Sequence, residues 1–194
     1  RDVNVDVPLV DKGKCSGCGK CAEFCRYNAL ACVKGEVLVF EELCHYCGGC
    51  MVVCPEGAIS EKDRKVGIVE SGSCEFGGGG GGSSAAFGDG LLEIGAIQTT
   101  AVIGEVKKLA GGDDEVVITD APPGTSCPVI EAVGGSDFVL LVTEPTPFGL
   151  NDLRLAVDMV RALGLRFGVA VNRSDVGDGS VMDYCQSEGI EVML

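Results

Sequence analysis

The chain has 194 residues, 46% of them hydrophobic and 23% charged, which supports a buried core and excludes wholesale disorder. Fifteen Lys and Arg stand against 29 Asp and Glu, a net charge of −14 that repels phosphate backbones; with no Trp and 5% aromatics there is no base-stacking platform, so no nucleic-acid partner is expected. No stretch approaches the ~20 apolar residues of a membrane span, and residues 1–6 carry no apolar signal region, so the expectation is a cytoplasmic protein.

In chain order, residues 1–70 come first, as a small cysteine-rich domain. Ten of the twelve Cys lie in residues 1–74. Cys15-Ser-Gly-Cys18-Gly-Lys-Cys21-Ala-Glu-Phe-Cys25 aligns without gaps, at an offset of 29 residues, with Cys44-His-Tyr-Cys47-Gly-Gly-Cys50-Met-Val-Val-Cys54. Between the copies, residues 33–40 read as a short hairpin or strand. Residues 71–90 contain six consecutive glycines at 77–82 followed by Ser83-Ser84-Ala85-Ala86, and predict a flexible linker.

Residues 91–194 form the second domain. Short apolar, β-branched runs at 116–119, 138–143, 167–171 and 190–194 predict strands. Leu150, Leu153, Val157, Val160 and Leu163 recur at helical spacing after Asn151-Asp152, and Gly164 closes that helix; residues 180–188 predict a shorter one. Strands separated by helices imply βαβ units and a parallel sheet. Charge divides unevenly too: residues 1–70 balance at −2 and residues 71–194 at −12.

Cys-x2-Cys-x2-Cys-x3-Cys, present twice, is the spacing of two [4Fe–4S] cubanes with crossed ligation. Three close thiolates grip one cluster and the fourth reaches the other. The expected sets are Cys15, Cys18, Cys21 and Cys54 for one cluster, and Cys25, Cys44, Cys47 and Cys50 for the other. Pro55 follows the fourth Cys of the second motif, as the pattern expects, whereas Arg26 stands in that place in the first. Disulfides and zinc are the competing readings; the first suits secreted chains and the second wider-spaced pairs. His45 reads as a solvated loop residue in preference to a cluster-tuning one, and Cys32 and Cys74 as plain residues. Cys127, before Pro128 at a helix start, reads as a packed thiol in preference to a reactive one. The segment resembles a bacterial two-cluster ferredoxin over residues 8–66.

In the second domain, Asp120-Ala-Pro-Pro-Gly-Thr125 follows the first expected strand. It is succeeded by Val142-Thr143-Glu144-Pro145-Thr146-Pro147 and by Val171-Asn172-Arg173. This ordered set resembles the MinD/ParA-type (Mrp-like) P-loop ATPases, most closely the subgroup with an inserted two-cluster ferredoxin. The resemblance implies an incomplete, parallel-sheet P-loop NTPase-like α/β domain beside a small α+β ferredoxin-like domain. It makes Asp120 the Walker-B, Mg²⁺-holding residue, puts Gly124 and Thr125 at a phosphate switch, and sets Asn172 and Arg173 at the adenine. It also implies ATP and Mg²⁺ as cofactors of the intact protein, and a homodimer through that domain. No Gly-x4-Gly-Lys-Ser/Thr loop occurs, so the chain reads as a fragment, with ATPase activity expected of the intact protein and not of this chain. The expected function is ATP-gated electron transfer or iron–sulfur cluster handling. The alternatives are a simple electron carrier with an α/β scaffold and a cluster-assembly scaffold. The anionic surface implies a redox partner with a basic docking patch.

Overall fold

Val alternates with Asp and Asn over residues 2–7, the period of a half-buried strand. In the computed structural model, which describes residues 1–76, 83–110 and 116–193, this segment is β1 (Asp2–Val10), with Val3, Val5 and Val7 buried and Asp2, Asn4 and Asp6 exposed. Two compact units follow, Arg1–Val116 and Val117–Leu194.

In the first unit, β1 pairs antiparallel with β4 (Ile59–Phe76), from Asp2 opposite Ile68 to Val10 opposite Ile59. β4 pairs in turn with β5 (Ser83–Leu92), giving the order β1-β4-β5. Helix α3 (Thr99–Lys107) covers this sheet, and its Val102 joins Val3, Val5, Val7, Val66 and Val69 in one core. Gly90 permits that contact, because a Cβ there would meet Val102 Cγ1 at 2.6 Å and Val106 Cγ2 at 2.7 Å. Between β1 and β4 the chain forms α1 (Lys20–Phe24), the hairpin β2 (Leu30–Val33)–β3 (Glu36–Val39), and α2 (Gly49–Val52). Lys34 and Gly35 both take positive φ, the requirement of a two-residue hairpin turn whose twist matches its strands.

Residues 71–76 and 83–90, expected as linker, are strand instead: Ser71 pairs with Gly88, Ser73 with Ala86 and Cys74 with Ala85. Small side chains give such a stretch little to pack, but the inter-strand backbone bonds do not need them, and composition reports only the side chains. The glycine run 77–82 lies outside the described residues.

The second unit contains α4 (Cys127–Val133), β6 (Val139–Thr143), α5 (Pro147–Ala162), β7 (Phe167–Val171) and α6 (Ser180–Ser187). β6 and β7 are parallel, with α5 as the crossover between them. Thr146 caps α5 by accepting the Gly149 N–H at 3.0 Å, and Pro147 sits in the first turn. Leu153, Val157 and Val160 form its buried stripe. Of the expected fourth strand, the described residues 190–193 form one parallel bridge, Val169 with Val192, and Leu194 lies outside them. The expected strand at 116–119 does not form. Val116 is 77% and Ile118 90% exposed, and among the described residues no strand pairs with them. An apolar, β-branched run needs a neighbour to become a strand, so Asp120 does not stand at a strand end here. Among the described residues the architecture is mixed α/β with three small sheets, and none of them is a P-loop NTPase sheet.

Candidate metal centres

Two cavities lie in the cysteine-rich part of the first unit, and each is lined by four cysteines. Site I, with about 320 Å³ of space partly open to solvent, is bounded by Cys15, Cys18, Cys21 and Cys54. Site II, about 580 Å³ and likewise partly open, is bounded by Cys25, Cys44, Cys47 and Cys50. In each, three thiols come from one motif and the fourth from the other.

Local backbone shape explains how four residues of a short loop face one space. Gly19 and Gly48, at φ 76° and 69°, cap α1 and α2 in the left-handed conformation, so each chain turns sharply between its second and third Cys. Gly17, at φ 67°, passes so close to the β2–β3 turn that a Cβ would stand 2.2 Å from the Gly35 carbonyl oxygen. Apolar walls complete each cavity: Val10, Val37 and Ile59 at site I, Phe24, Leu30 and Met51 at site II.

The donor set fits an iron–sulfur cluster. All twelve cysteines are free thiols. Among the described residues no three His, Cys, Asp or Glu side chains converge tightly enough to hold one ion; the thiols instead surround a space. Burial, and then the proximity of Cys54 and Cys15, pushes the Cys21 thiol up. Burial pushes Cys44 up, with Cys47 and Cys25 adding to it. Cys50 is pushed up to about 11 by burial and then by Cys44. Thiolates in such company need a bound cation, so loading releases protons. Backbone amides are aimed at sulfur as well: Tyr46 N–H donates to Cys44 Sγ at 3.4 Å and Ala58 N–H to Cys54 Sγ at 3.3 Å.

Other residues around the sites were not singled out by sequence. Gln98, 3% exposed, donates to the Cys44 carbonyl at 2.8 Å and accepts the Ile97 N–H at 3.0 Å. Tyr46 Oη and Thr100 Oγ1 are hydrogen-bonded at 2.9 Å. Arg64 of β4 donates to the Glu41 carbonyl just before Cys44. His45 is exposed, and stacks on Tyr27 with ring centroids 3.7 Å apart. Only the alternation of the 29-residue copies could have pointed to Tyr27; nothing local marks Gln98 or Arg64. Cys32 Sγ donates to the Gly17 carbonyl at 3.4 Å, and Cys74 lies exposed in β4. Cys127 is exposed at the start of α4, not packed as expected, whereas Cys185 is buried.

In the second unit, Glu144 and Arg173 pair at 3.8 Å. Asn172 N–H donates to the Thr143 carbonyl at 2.8 Å, and Arg173 takes a left-handed φ of 55°. These residues meet where β6 and β7 end. Asp120 and Gly124 are exposed and Thr125 half-buried, in irregular chain before α4. The described contacts do not bring them to Asn172.

Residues 8–31 and 37–60 match the 4Fe-4S binding domain. An uncharacterized protein of Methanocaldococcus jannaschii is 28% identical over 179 residues, 92% of this chain and 61% of that protein. A second uncharacterized protein of that organism is 27% identical over 165 residues, 84% of this chain and 55% of its own length. An uncharacterized ferredoxin, also of M. jannaschii, is 38% identical over 55 residues, 26% of this chain and 71% of the ferredoxin. The chain therefore spans under two thirds of the two longer relatives.

Proposed function

Because the chain belongs, over residues 8–60, to the 4Fe-4S binding domain family, we propose that it is a two-cluster electron-transfer protein, with one [4Fe–4S] cluster held by site I and one by site II. The observation that carries this reading is the crossed set of four cysteines around each cavity. When bound, a cluster supplies a one-electron couple. Around it, the thiolates hold the iron, the amides of Tyr46 and Ala58 stabilise negative charge on sulfur, and Val37, Ile59, Leu30 and Met51 limit water. Each four-thiolate site adds about −2 in its oxidised form to a chain already at −14, so a partner with a basic patch is favoured. Ten thiols in the first unit suit a reducing, cytoplasmic setting. Anaerobically prepared protein is expected to hold ~8 Fe and ~8 sulfide per chain. Iron analysis that finds zinc without sulfide overturns the reading.

One arrangement favours a finer version, in which nucleotide gates electron flow in a protein of the longer relatives' full length. Glu144, Asn172 and Arg173 share one edge of a right-order β–α–β unit, where ligands of parallel sheets bind. Asp120 would hold Mg²⁺, and the phosphate loop would have to come from outside this sequence, which has none. ATP binding by the full-length gene product, weakened by Asn172→Ala, is the expected result; no binding at millimolar ATP leaves the plain electron carrier as the function.

A further inference from the structure

The 29-residue offset gives most residues around site I a counterpart at site II, and the charged ones differ. Glu56 stands at the rim of site I, where site II has Tyr27; Ser16 is matched by His45. Glu56 is an exposed carboxylate, whereas Tyr27 and His45 form a stacked aromatic pair.

The larger difference lies behind Cys44. The Cys44 N–H donates to the Glu41 carbonyl at 3.2 Å, and Arg64 Nη1 donates to that same oxygen. The shared acceptor fixes a guanidinium beside a site II ligand. The Arg64 side chain is only 19% exposed, and its nearest carboxylate, Glu42, is 3.9 Å away and itself 67% exposed. At site I the Cys15 N–H donates to the Asp11 carbonyl at 3.0 Å, and the adjoining charge is the Asp11 carboxylate, loosely paired with Lys14 at 3.7 Å. Asp6, Arg26 and Glu61 around site II, and Lys14 and Lys20 beside site I, are exposed and therefore screened by salt. A half-buried cation is screened much less, and it favours whichever state carries more negative charge. The rings at the rim are too exposed to offset this by excluding water.

We infer that Arg64 sets the potential of site II above that of site I, so that an electron shared by the two sites rests at site II. The inference rests on both sites holding [4Fe–4S] clusters. Passage from site I to site II is one electron: the first is oxidised by one unit, the second reduced by one, and no bond or proton changes place. Arg64 acts through charge beside a ligand, as a positioning residue.

The test is protein-film voltammetry of loaded protein, alongside EPR during reduction by dithionite. Two waves are expected. Arg64→Gln should move the higher wave down and leave the lower one in place, and Arg64→Lys should restore most of the shift. Glu56→Gln, a change at an exposed position screened by salt, should move the lower wave by less than Arg64→Gln moves the higher one. If Arg64→Gln fails to load, the separation of the two waves in unmodified protein should persist at ~1 M salt, as the effect of a half-buried cation does. Movement of the lower wave by Arg64→Gln, no movement of the higher wave by it, or collapse of the separation at ~1 M salt overturns the inference. Protein without iron and sulfide in ~8:8 proportion counts against the cluster reading itself, which separates the two failures.

Discussion

Sites I and II keep the same backbone and differ in side chains. Left-handed residues recur in register: Gly17 with Tyr46 at φ 67° and 42°, Gly19 with Gly48 at 76° and 69°, and Asn28 with Gly57 at 53° and 57°. The four thiols recur as well. What does not recur is the residue type at the first and third of those bends, and the first shows why. At Gly17 the nearby Gly35 carbonyl leaves no room for a Cβ, whereas Tyr46 occupies the corresponding bend with its ring tied to Thr100. Chain path and thiolates therefore follow from what a cluster needs, while the wall and rim answer to what each half packs against. Site I packs against the β2–β3 turn, and site II against Gln98 and α3.

The strongest way to break this comparison is through the crossed ligands. Cys54→Ser should remove the cluster of site I and Cys25→Ser that of site II, each lowering iron from ~8 to ~4 per chain. Iron analysis with EPR of each variant checks it; a Cys54→Ser protein that kept site I and lost site II would mean ligation is not crossed. Next in size is the contrast at the bends. Gly17→Ala meets both a strained φ and the Gly35 carbonyl, and should destabilise by on the order of 2–4 kcal/mol. Tyr46→Gly relieves strain but loses the bond to Thr100, and should change stability by about 1 kcal/mol or less. Anaerobic urea unfolding of the two variants reads the difference, and equal losses would show the two bends to be under the same constraint. Gln98→Leu, which leaves the buried Cys44 carbonyl without its donor, should cost about 1–3 kcal/mol. Its effect should appear in the site II EPR signal and not in that of site I.

The cysteine spacing made the site legible, because thiolate placement within a tight loop is a local property. The repeat gave the register as well, and the hairpin, α5 and α6 followed from local pattern. Residues that act from a distance in sequence were not legible. Gln98 lies 54 residues from the carbonyl it serves, and Arg64 lies 23 from Glu41. Their roles exist only once β4 and α3 have closed on the loop. The β4–β5 ladder was hidden for a related reason: its Ser, Gly and Ala residues carry little side-chain signal, and the pairing is a backbone property. At 116–119 the error ran the other way. Strand propensity there was strong, but no strand among the described residues supplies the neighbour that turns propensity into a sheet.

The smallest effect concerns a surface clamp beside site I. Lys12, just after β1, donates to Glu36 of β3 and pairs with it across exposed surface. That hydrogen bond, and then the charge of Lys12, holds the Glu36 carboxyl below its usual range. Since the folded-state pKa is the lower one, the clamp stabilises the fold above the ordinary carboxylate pKa of about 4.3, and the contribution is lost as pH falls through the lowered folded value. Both groups are exposed, so salt should suppress the effect. Carbon-detected NMR titration of Glu36 should therefore give a midpoint below the ordinary range, rising in Lys12→Met and rising equally in unmodified protein at ~1 M salt. Glu36 has its counterpart at Lys65, on β4, which pairs instead with Asp2 at 2.8 Å. Lys12 has its counterpart at Glu41, which pairs with Lys62 at 2.7 Å, so the Lys12–Glu36 pair itself has no equivalent at site II, and Lys12→Met should leave the EPR signal and potential of site II unchanged. A midpoint that ignored Lys12→Met would show the pair to be incidental. A shift at site II would show that the two halves are coupled through β1, and would weaken the separation on which the comparison rests.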